Sequence, residues 1–478
     1  MKLDLKNILQ NDHDSFDLIQ NIGKIADDMD IQAYLVGGFV RDLILQRKNK
    51  DIDIVVVGDG LAFADKVSDT LGLYPVVKYK EFATAMIPLK SVEIEIVSAR
   101  KEVYQQHSRN PKVEFTNLDE DLRRRDFTIN TMALSINANS FGKFIDPFTG
   151  VKDLNSKMII TPLDPKETFF EDPLRMLRAI RFASQLHFDI EESTFQAIRE
   201  YASRISIISK ERIRDEFIKI LMSDKPSFGI DLLSSSGLMH EVFPQLEKLK
   251  GVDSHDGFKH KDVYLHTLTV LDNVAAVSDD INLRFAALFH DIAKPQCKRF
   301  VKGSGWTFHG HEELGARMFD KIARDLRLSQ KDIKIISKLI RLHLRPIVIA
   351  KDDVTDSAVR RLIVDAGEEI DKLMILCRAD ITSKNKLRVK KYMQNFELVE
   401  QKIIEVEQKD ALRTFQSPFD GKEIMTMFDL KPGPEIGKIK HFIEEAILEG
   451  IIANDHDEAK DYIIKNKQKL IDLFLSKP

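Results

Sequence analysis

The chain has 478 residues, 43% of them apolar and 31% charged, with a formal net charge of −4. That length exceeds one ordinary hydrophobic core and implies two to four domains. The charge excludes a globally basic nucleic-acid binder, and apolar runs no longer than a strand exclude a membrane span. The N-terminal MKLDLKNILQNDHD lacks a secretory pattern, and Cys297 and Cys377, the only cysteines, have no metal-like spacing. Both observations point to a reducing, cytoplasmic setting in which the thiols pack as small hydrophobes.

The first 33 residues read as one or two helices. From Tyr34 to about Arg100 come β-rich runs, AYLVGG, DIDIVVV, YPVVKY, TAMIPL and VEIEIVSA, interrupted by a helical stretch, GLAFADKVSDTLG. From about Asn155 nearly everything has helical period, punctuated at SDKPS, SSSG, FQSP and KPGPEIG. There is no internal repeat. The pattern predicts an α+β protein, a small mixed-sheet head followed by a long all-α body.

Within the head, LVGGFVRDLIL sets Gly37, Gly38 and Arg41 between a strand and a helix, where backbone amides can approach a phosphate. Asp51 and Asp53 lie two apart on a predicted strand and so share a face. They are either the wet side of an edge strand or two ligands of one cation. Glu93 and Glu95 alternate in the same way. In DEDLRRRDFTINTMAL, Arg124, Arg125, Asp126 and Asn130 form a dense polar patch, although Asp126 and Thr128 would also serve as helix caps. In EDPLRMLRAIRF a helix opens at Pro173; Asp172 and Arg175 are an i, i+3 pair, and Arg178 and Arg181 continue the stripe. A rigid Asp–Arg pair can read the edge of a nucleobase; alone it also reads as a solvent salt bridge. Basic residues bunch again at Lys384, Lys386, Arg388, Lys390 and Lys391.

The body holds a second constellation: His266, the adjacent His290 and Asp291, His309 and His311, His343 and Asp380. Imidazoles and carboxylates on successive helices can converge on divalent metals, whereas any one of them is an ordinary hydrogen-bonded helix residue.

The ordered series GGFVRDL, DIDIVVV, RRRDFTINTMAL, DPFTGVKDL, EDPLRMLRAIRF and ISKERIRDEFIKIL resembles the bacterial CCA-adding enzymes, tRNA nucleotidyltransferases of the DNA polymerase beta superfamily. The resemblance covers roughly residues 30–225. It implies that Asp51, Asp53 and Glu95 are catalytic, with Mg²⁺ on the two aspartates. It also implies a nucleotide site made of Gly37, Gly38, Arg41, Arg124, Arg125, Asp126, Asn130, Asp172, Arg175, Arg178 and Arg181. Asp172 and Arg175 would select CTP or ATP, and Glu211 and Arg212 would brace the neck. A mobile loop near residues 78–90 would decide between full and partial addition.

The histidine-acid series resembles the HD-domain metal phosphohydrolases, which implies His266, His290, Asp291 and Asp380 as ligands, His311 and His343 as additional ones, and Lys294 near a phosphate. The segment FDGKEIMTMFDLKPGPEIGKIKHFIEEAILEG resembles the family's C-terminal part, with Pro432 to Gly437, Lys438 and Lys440 facing RNA phosphates. The implied organisation is a head at 1–155, a helical neck at 156–225, an HD domain at 226–390 and a tRNA-binding tail at 391–478. The partners are the tRNA acceptor arm, CTP and ATP. Rival readings are a poly(A) polymerase, a CC- or A-adding enzyme, a metal phosphohydrolase with a nucleotide-binding head, and an RNA-binding scaffold.

Overall fold

Chain contacts divide the molecule into two units: Met1–Ile220 with Asp231–Val242, and Leu221–Ile230 with Phe243–Pro478. The structure, a computed structural model, describes residues 13–48, 51–90, 92–103, 112–251, 254–255, 258–259, 262–303, 305–350, 355–382, 385–410 and 412–475. Lys384 lies outside them.

In the first unit, helix α1 (His13–Asp28) leads to strand β1 (Gln32–Val36), helix α2 (Gly37–Ile44), β2 (Asp51–Val57), α3 (Gly60–Leu71), β3 (Val77–Tyr79), β4 (Thr84–Pro88) and β5 (Glu93–Ser98). A separate hairpin, β6 (Arg100–Val103) and β7 (Lys112–Phe115), precedes α4 (Leu118–Arg123), β8 (Ala133–Ser135) and β9 (Phe144–Ile145). The main sheet has seven strands in the order β3-β4-β5-β2-β1-β8-β9. Among the described strands of this sheet only β2 and β5 run parallel; outside it, Met158–Ile159 pairs in parallel with Asp189–Ile190.

Strand alternation explains how the sheet is covered. Ile52, Ile54, Ile94 and Ile96 are buried, and α3 packs on β4 and β5. Gly60 starts that helix so close to β5 that a Cβ there would lie 2.8 Å from the Ser98 amide nitrogen, which only glycine tolerates. On the other face, Leu118 and Leu122 of α4 pack over Val36, Val55, Ala99 and Ala133. The segment expected as a mobile loop near residues 78–90 is instead largely sheet: β3, a short 3₁₀ turn (Lys80–Phe82) and β4, with Val77 opposite Met86 and Tyr79 opposite Thr84. The β-branched YPVVKY and TAMIPL runs are its cause.

Helices α5 (Gly150–Ser156), α6 (Pro165–Glu171), α7 (Leu174–Leu186), α8 (Glu192–Tyr201) and α9 (Lys210–Leu221) follow, and then the helices Pro226–Ser235 and Leu238–Val242. The second unit contains α10 (Val263–Ala275), α11 (Ile281–Phe289), α12 (His311–Asp325), α13 (Gln330–Leu342), α14 (Asp356–Ala366) and α15 (Ile370–Asp380), and buried Phe285 and Phe289 of α11 meet Phe319 of α12 ring to ring. The long α16 (Lys386–Asp410) leads to α17 (Gly421–Phe428), α18 (Pro434–Leu448) and α19 (His456–Lys465), which share a small core of Phe419, Ile424, Ile439, Ile443 and Ile463. The body is not wholly helical: Ser254–His255 pairs with Phe258–Lys259, and Arg299–Val301 with Gly305–Thr307. Strands this short carry no readable period. Among the described residues no helix is long and apolar enough to cross a membrane.

Candidate active site and candidate metal centre

The parallel register sets Asp51 against Glu93 and Asp53 against Glu95, so four carboxylates stand on one face of the sheet. Burial, then Glu95 and Asp51, push the Asp53 carboxyl up to about 6, with Arg125 and the Phe39 amide opposing. Burial likewise raises Glu95, against Arg100 and Arg125. Adjacent hard oxygens that resist losing their protons together are a donor set that suits Mg²⁺. Gly37 begins α2 with φ +66°, and a Cβ there would sit 3.1 Å from Arg125 Nη1 and 3.3 Å from Asp53 Oδ2. The turn carrying Gly37 and Gly38 therefore lies directly against the acids. Val36 at the N-cap offers no side-chain acceptor, so this helix end suits an anion.

The arginines are aimed by buried carboxylates. Asp121, fully buried, accepts from Arg124 Nη2 at 2.6 Å and Arg125 Nη2 at 2.9 Å. Burial alone would raise its pKa, but Arg125 and Arg124 carry it below the usual range. Asp126 accepts from Arg178 Nε at 2.7 Å and from Asn130 Nδ2 at 2.9 Å, while Asn130 Oδ1 accepts from Arg41 Nη1 at 2.9 Å. Burial opposes ionisation here too, yet Arg178 and Asn130 bring Asp126 down to about 2. Neither expected cap forms. Asp126 accepts from the next amide, that of Phe127, the Thr128 hydroxyl donates to Asp153, and only a 3₁₀ turn follows. The Phe182 ring lies under three guanidiniums, those of Arg41, Arg178 and Arg181, at 5.0, 5.3 and 4.1 Å. Arg181 pairs with Glu216 at 3.2 Å, and burial, then Arg178, lowers it to about 10.

The Asp172–Arg175 pair is a correction. Asp172 sits between α6 and α7 in extended geometry (φ −131°, ψ 98°), so the i, i+3 rule of a continuous helix does not apply. Its Oδ1 accepts from the Leu174 amide at 3.1 Å, and its Oδ2 pairs with Arg212 at 3.2 Å. Arg175 instead donates to Arg124 O at 2.7 Å and to Thr168 O and Glu171 at 3.3 Å. Acceptor and donors thus come from neighbouring residues held by different partners.

Asp121, Glu216 and Phe182 escaped the sequence reading. Asp121 carries a signal, since it lies three and four residues before Arg124 and Arg125. Glu216 and Phe182 carry none, being placed by packing.

In the second unit, α10 supplies His266, the end of α11 His290 and Asp291, α12 His311, the end of α13 His343 and α15 Asp380. Two groups bring one ligand atom each within 4.8 Å of one another: His266, His290 and Asp380, and Asp291, His311 and His343. His266 Nε2 is 2.9 Å from Asp380 Oδ1, and His311 Nε2 is 3.3 Å from Asp291 Oδ1. The Nδ1 atoms of His290, His311 and His343 lie 2.8, 2.7 and 2.7 Å from the carbonyl oxygens of Ala287, Phe308 and Ile340. Those contacts place the hydrogen on Nδ1 and turn Nε2 inward. The Nε2 atoms of these three histidines and Asp291 Oδ1 are buried without a hydrogen-bond partner, as metal ligands are before a cation is added. Burial alone would keep His290 neutral, but Asp291 and Asp380 raise it to about 10; His343, lowered by burial and by His290, falls to about 4. The donor set demands positive charge and fits a divalent metal.

Lys294 Nζ reaches Asp291 Oδ2 at 2.5 Å, on the same side as Phe308. Cys377 is buried and donates its S–H to His343 O at 2.9 Å, whereas Cys297 is only half-buried, short of the packed state expected for both thiols. In the C-terminal part, Gly433 is the N-cap of α18, Pro434 is its first residue, and Pro432, Gly437 and Lys438 are exposed.

The family described as the poly A polymerase head domain matches residues 33–160, the one described as probable RNA and SrmB-binding site of polymerase A matches 187–250, and the HD domain matches 263–385. An A-adding tRNA nucleotidyltransferase of Deinococcus radiodurans is 31% identical over 73% of this chain and 79% of its own length. A CCA-adding enzyme of Anoxybacillus flavithermus is 28% identical over 92% of this chain and 94% of its own. The chain spans only 26% of an A-adding relative from Geobacter sulfurreducens, at 38% identity over 48% of itself. Among solved structures, a CCA-adding enzyme with ATP shares the fold over 97% of this chain and 99% of that one, with a TM-score of 0.65 and 23% identity. Thermotoga maritima CCA-adding enzyme complexed with tRNA does so over 97% and 98%, with a TM-score of 0.59 and 22% identity. The chain belongs to the tRNA nucleotidyltransferase family that contains the CCA-, CC- and A-adding enzymes.

Proposed function

We propose that this protein adds C-C-A to the 3′ ends of tRNA from CTP and ATP, without a nucleic-acid template. The observation that carries the reading is the in-register row of Asp53 and Glu95 beside Asp51, backed by the Gly37 turn. Asp51 and Asp53, with Glu95, would hold Mg²⁺, which when bound supplies Lewis-acid activation of the RNA 3′-hydroxyl and neutralises the departing pyrophosphate. The α2 N-terminus and Arg125 lie where the triphosphate would meet the acids. Arg41, Arg124, Asp126, Asn130, Arg178 and Arg181 form the network behind them, and no covalent intermediate is required. Asp172 and Arg175, half-buried and buried at the junction of α6 and α7, read the base edge, with Glu211 and Arg212 as their support.

The HD site is a second, hydrolytic centre. His266, His290, Asp291 and Asp380, with His311 and His343, hold its metal, and Lys294 receives a substrate phosphate. Residues 1–155, 156–225, 226–390 and 391–478 serve as catalytic head, selecting neck, hydrolytic domain and RNA-holding tail. Lys438 and Lys440 meet acceptor-arm phosphates through shape rather than sequence.

The test is incubation with Mg²⁺, CTP, ATP and a tRNA transcript lacking its 3′ end, followed by sequencing of the products. C-C-A at the new end is the expected result. A long A tract, C-C alone or A alone would replace this reading with the corresponding rival, and no extension would end it.

A further inference from the structure

The face of the sheet that bears the carboxylates continues past them towards the β3 edge, and the register says what stands there. Val77 lies opposite Met86, Met86 opposite Glu95, and Glu95 opposite Asp53, one row across β3, β4, β5 and β2. The adjacent row runs Tyr79, Thr84, Val97, Val55. Directly opposed residues point to one face, so Val77, Tyr79 and Met86 share the face of the acids. The intervening Lys78 confirms the alternation: it pairs at 2.6 Å with Asp65 of α3, the helix covering the reverse face.

This end of the face is open. Val77 is 39% exposed and Tyr79 45%, and Met86 is half-buried. With neighbouring strands roughly 5 Å apart, Met86 and Val77 stand roughly 10 and 15 Å from the Asp53 row position. Arg100 brings a cation to the border of the ledge. It donates to Thr84 Oγ1 at 3.3 Å and to the Phe82 carbonyl, and it lies near enough to Glu95 to favour that residue's charge. An apolar ledge with a ring, a cation at its border and catalytic acids at its end has the chemistry of a single-stranded nucleic-acid seat.

We propose that Val77, Tyr79 and Met86 seat the 3′-terminal base of the RNA whose 3′-hydroxyl is extended, with Arg100 beside its phosphate. The inference rests on the nucleotidyl-transfer reading above and adds to it the positioning residues for the acceptor strand, as distinct from those for the incoming nucleotide.

The test uses the full chain and a tRNA transcript carrying 2-aminopurine as its 3′-terminal base. Binding to the unaltered protein is expected to quench the probe. Tyr79→Ala combined with Met86→Ala should restore the fluorescence and raise the KM for RNA about tenfold, the size of one lost base–ring stack, with the KM values for CTP and ATP unchanged. Tyr79→Phe should behave as the unaltered protein. A rise in the nucleotide KM alone, or no change in either KM together with unaltered quenching, would overturn the proposal. Should the unaltered protein extend no RNA, the nucleotidyl-transfer reading falls. The quenching, measured without turnover, still decides the ledge: quenching lost in the double variant upholds it, and absent or unaltered quenching overturns it.

Discussion

The acids of the head and the acids of the HD site solve the problem of crowded negative charge differently. In the head, Asp51, Asp53 and Glu95 lie at the open end of a sheet, and the result is a carboxyl raised to about 6 by burial and by its neighbours. In the HD site, Asp291 and Asp380 are packed among imidazoles and Lys294, and both carboxyls lie well below their ordinary range despite burial. In the head the opposing charges are guanidiniums, Arg125 beside Asp53 and Arg100 with Arg125 beside Glu95, and they do not outweigh burial. The HD site builds the counter-charge into helices. An accessible, hydrated cation suits the first and a resident one the second.

The comparison breaks most sharply at Asp53. Asp53→Ala should reduce nucleotide addition by about a thousandfold or more while leaving phosphodiester hydrolysis at the HD site unchanged, as read by primer extension and a nitrophenyl phosphodiester assay. Surviving extension would remove Asp53 from catalysis. Asp291→Ala should do the reverse. It should abolish retained metal, measured by elemental analysis after gel filtration, and cost about 3–5 kcal/mol in denaturant unfolding because it strips buried partners of their counter-ion. Equal loss of nucleotide addition in that variant would show that the two sites are not independent.

A smaller effect belongs to Asp121, which touches neither acid row but fixes Arg124 and Arg125. Asp121→Asn should raise the KM for CTP and ATP about tenfold through loss of one charge-assisted network, with a smaller change in the KM for RNA. An unchanged nucleotide KM would reduce those arginines to structural roles. The smallest effect is a pH dependence. Asp126 falls from its ordinary 3.8 to about 2 on folding, so its contribution is complete above pH 4 and is lost as the pH drops towards 2. Asp126→Asn should abolish that segment of the acid-unfolding curve, on the order of 2 kcal/mol. A curve that keeps its slope there would assign the acid transition to other carboxylates.

Much of both sites was legible because strand and helix periods are legible. The period of two puts Asp51 and Asp53 on one face, and apolar runs before His290 and His343 mark helix ends, but the choice of these residues as cation ligands came from resemblance to known families and not from either period. Asp172 and Arg175 misled because a proline between them separates two helices, and a spacing argument presumes one. Glu216 and Phe182 were out of reach because they meet the arginines across helices whose packing no local pattern encodes. The β3–β4 register was hidden for a related reason. Its two runs were visible as strands, but which residue opposed which depended on a turn of three residues.

Three of the HD histidines, His290, His311 and His343, bond through Nδ1 to the carbonyl three positions earlier in their own chain segment. Each imidazole is therefore moored to its own turn of backbone, and its aim does not depend on a distant partner. A lineage that loses one ligand by substitution keeps the remaining ones pointed inward.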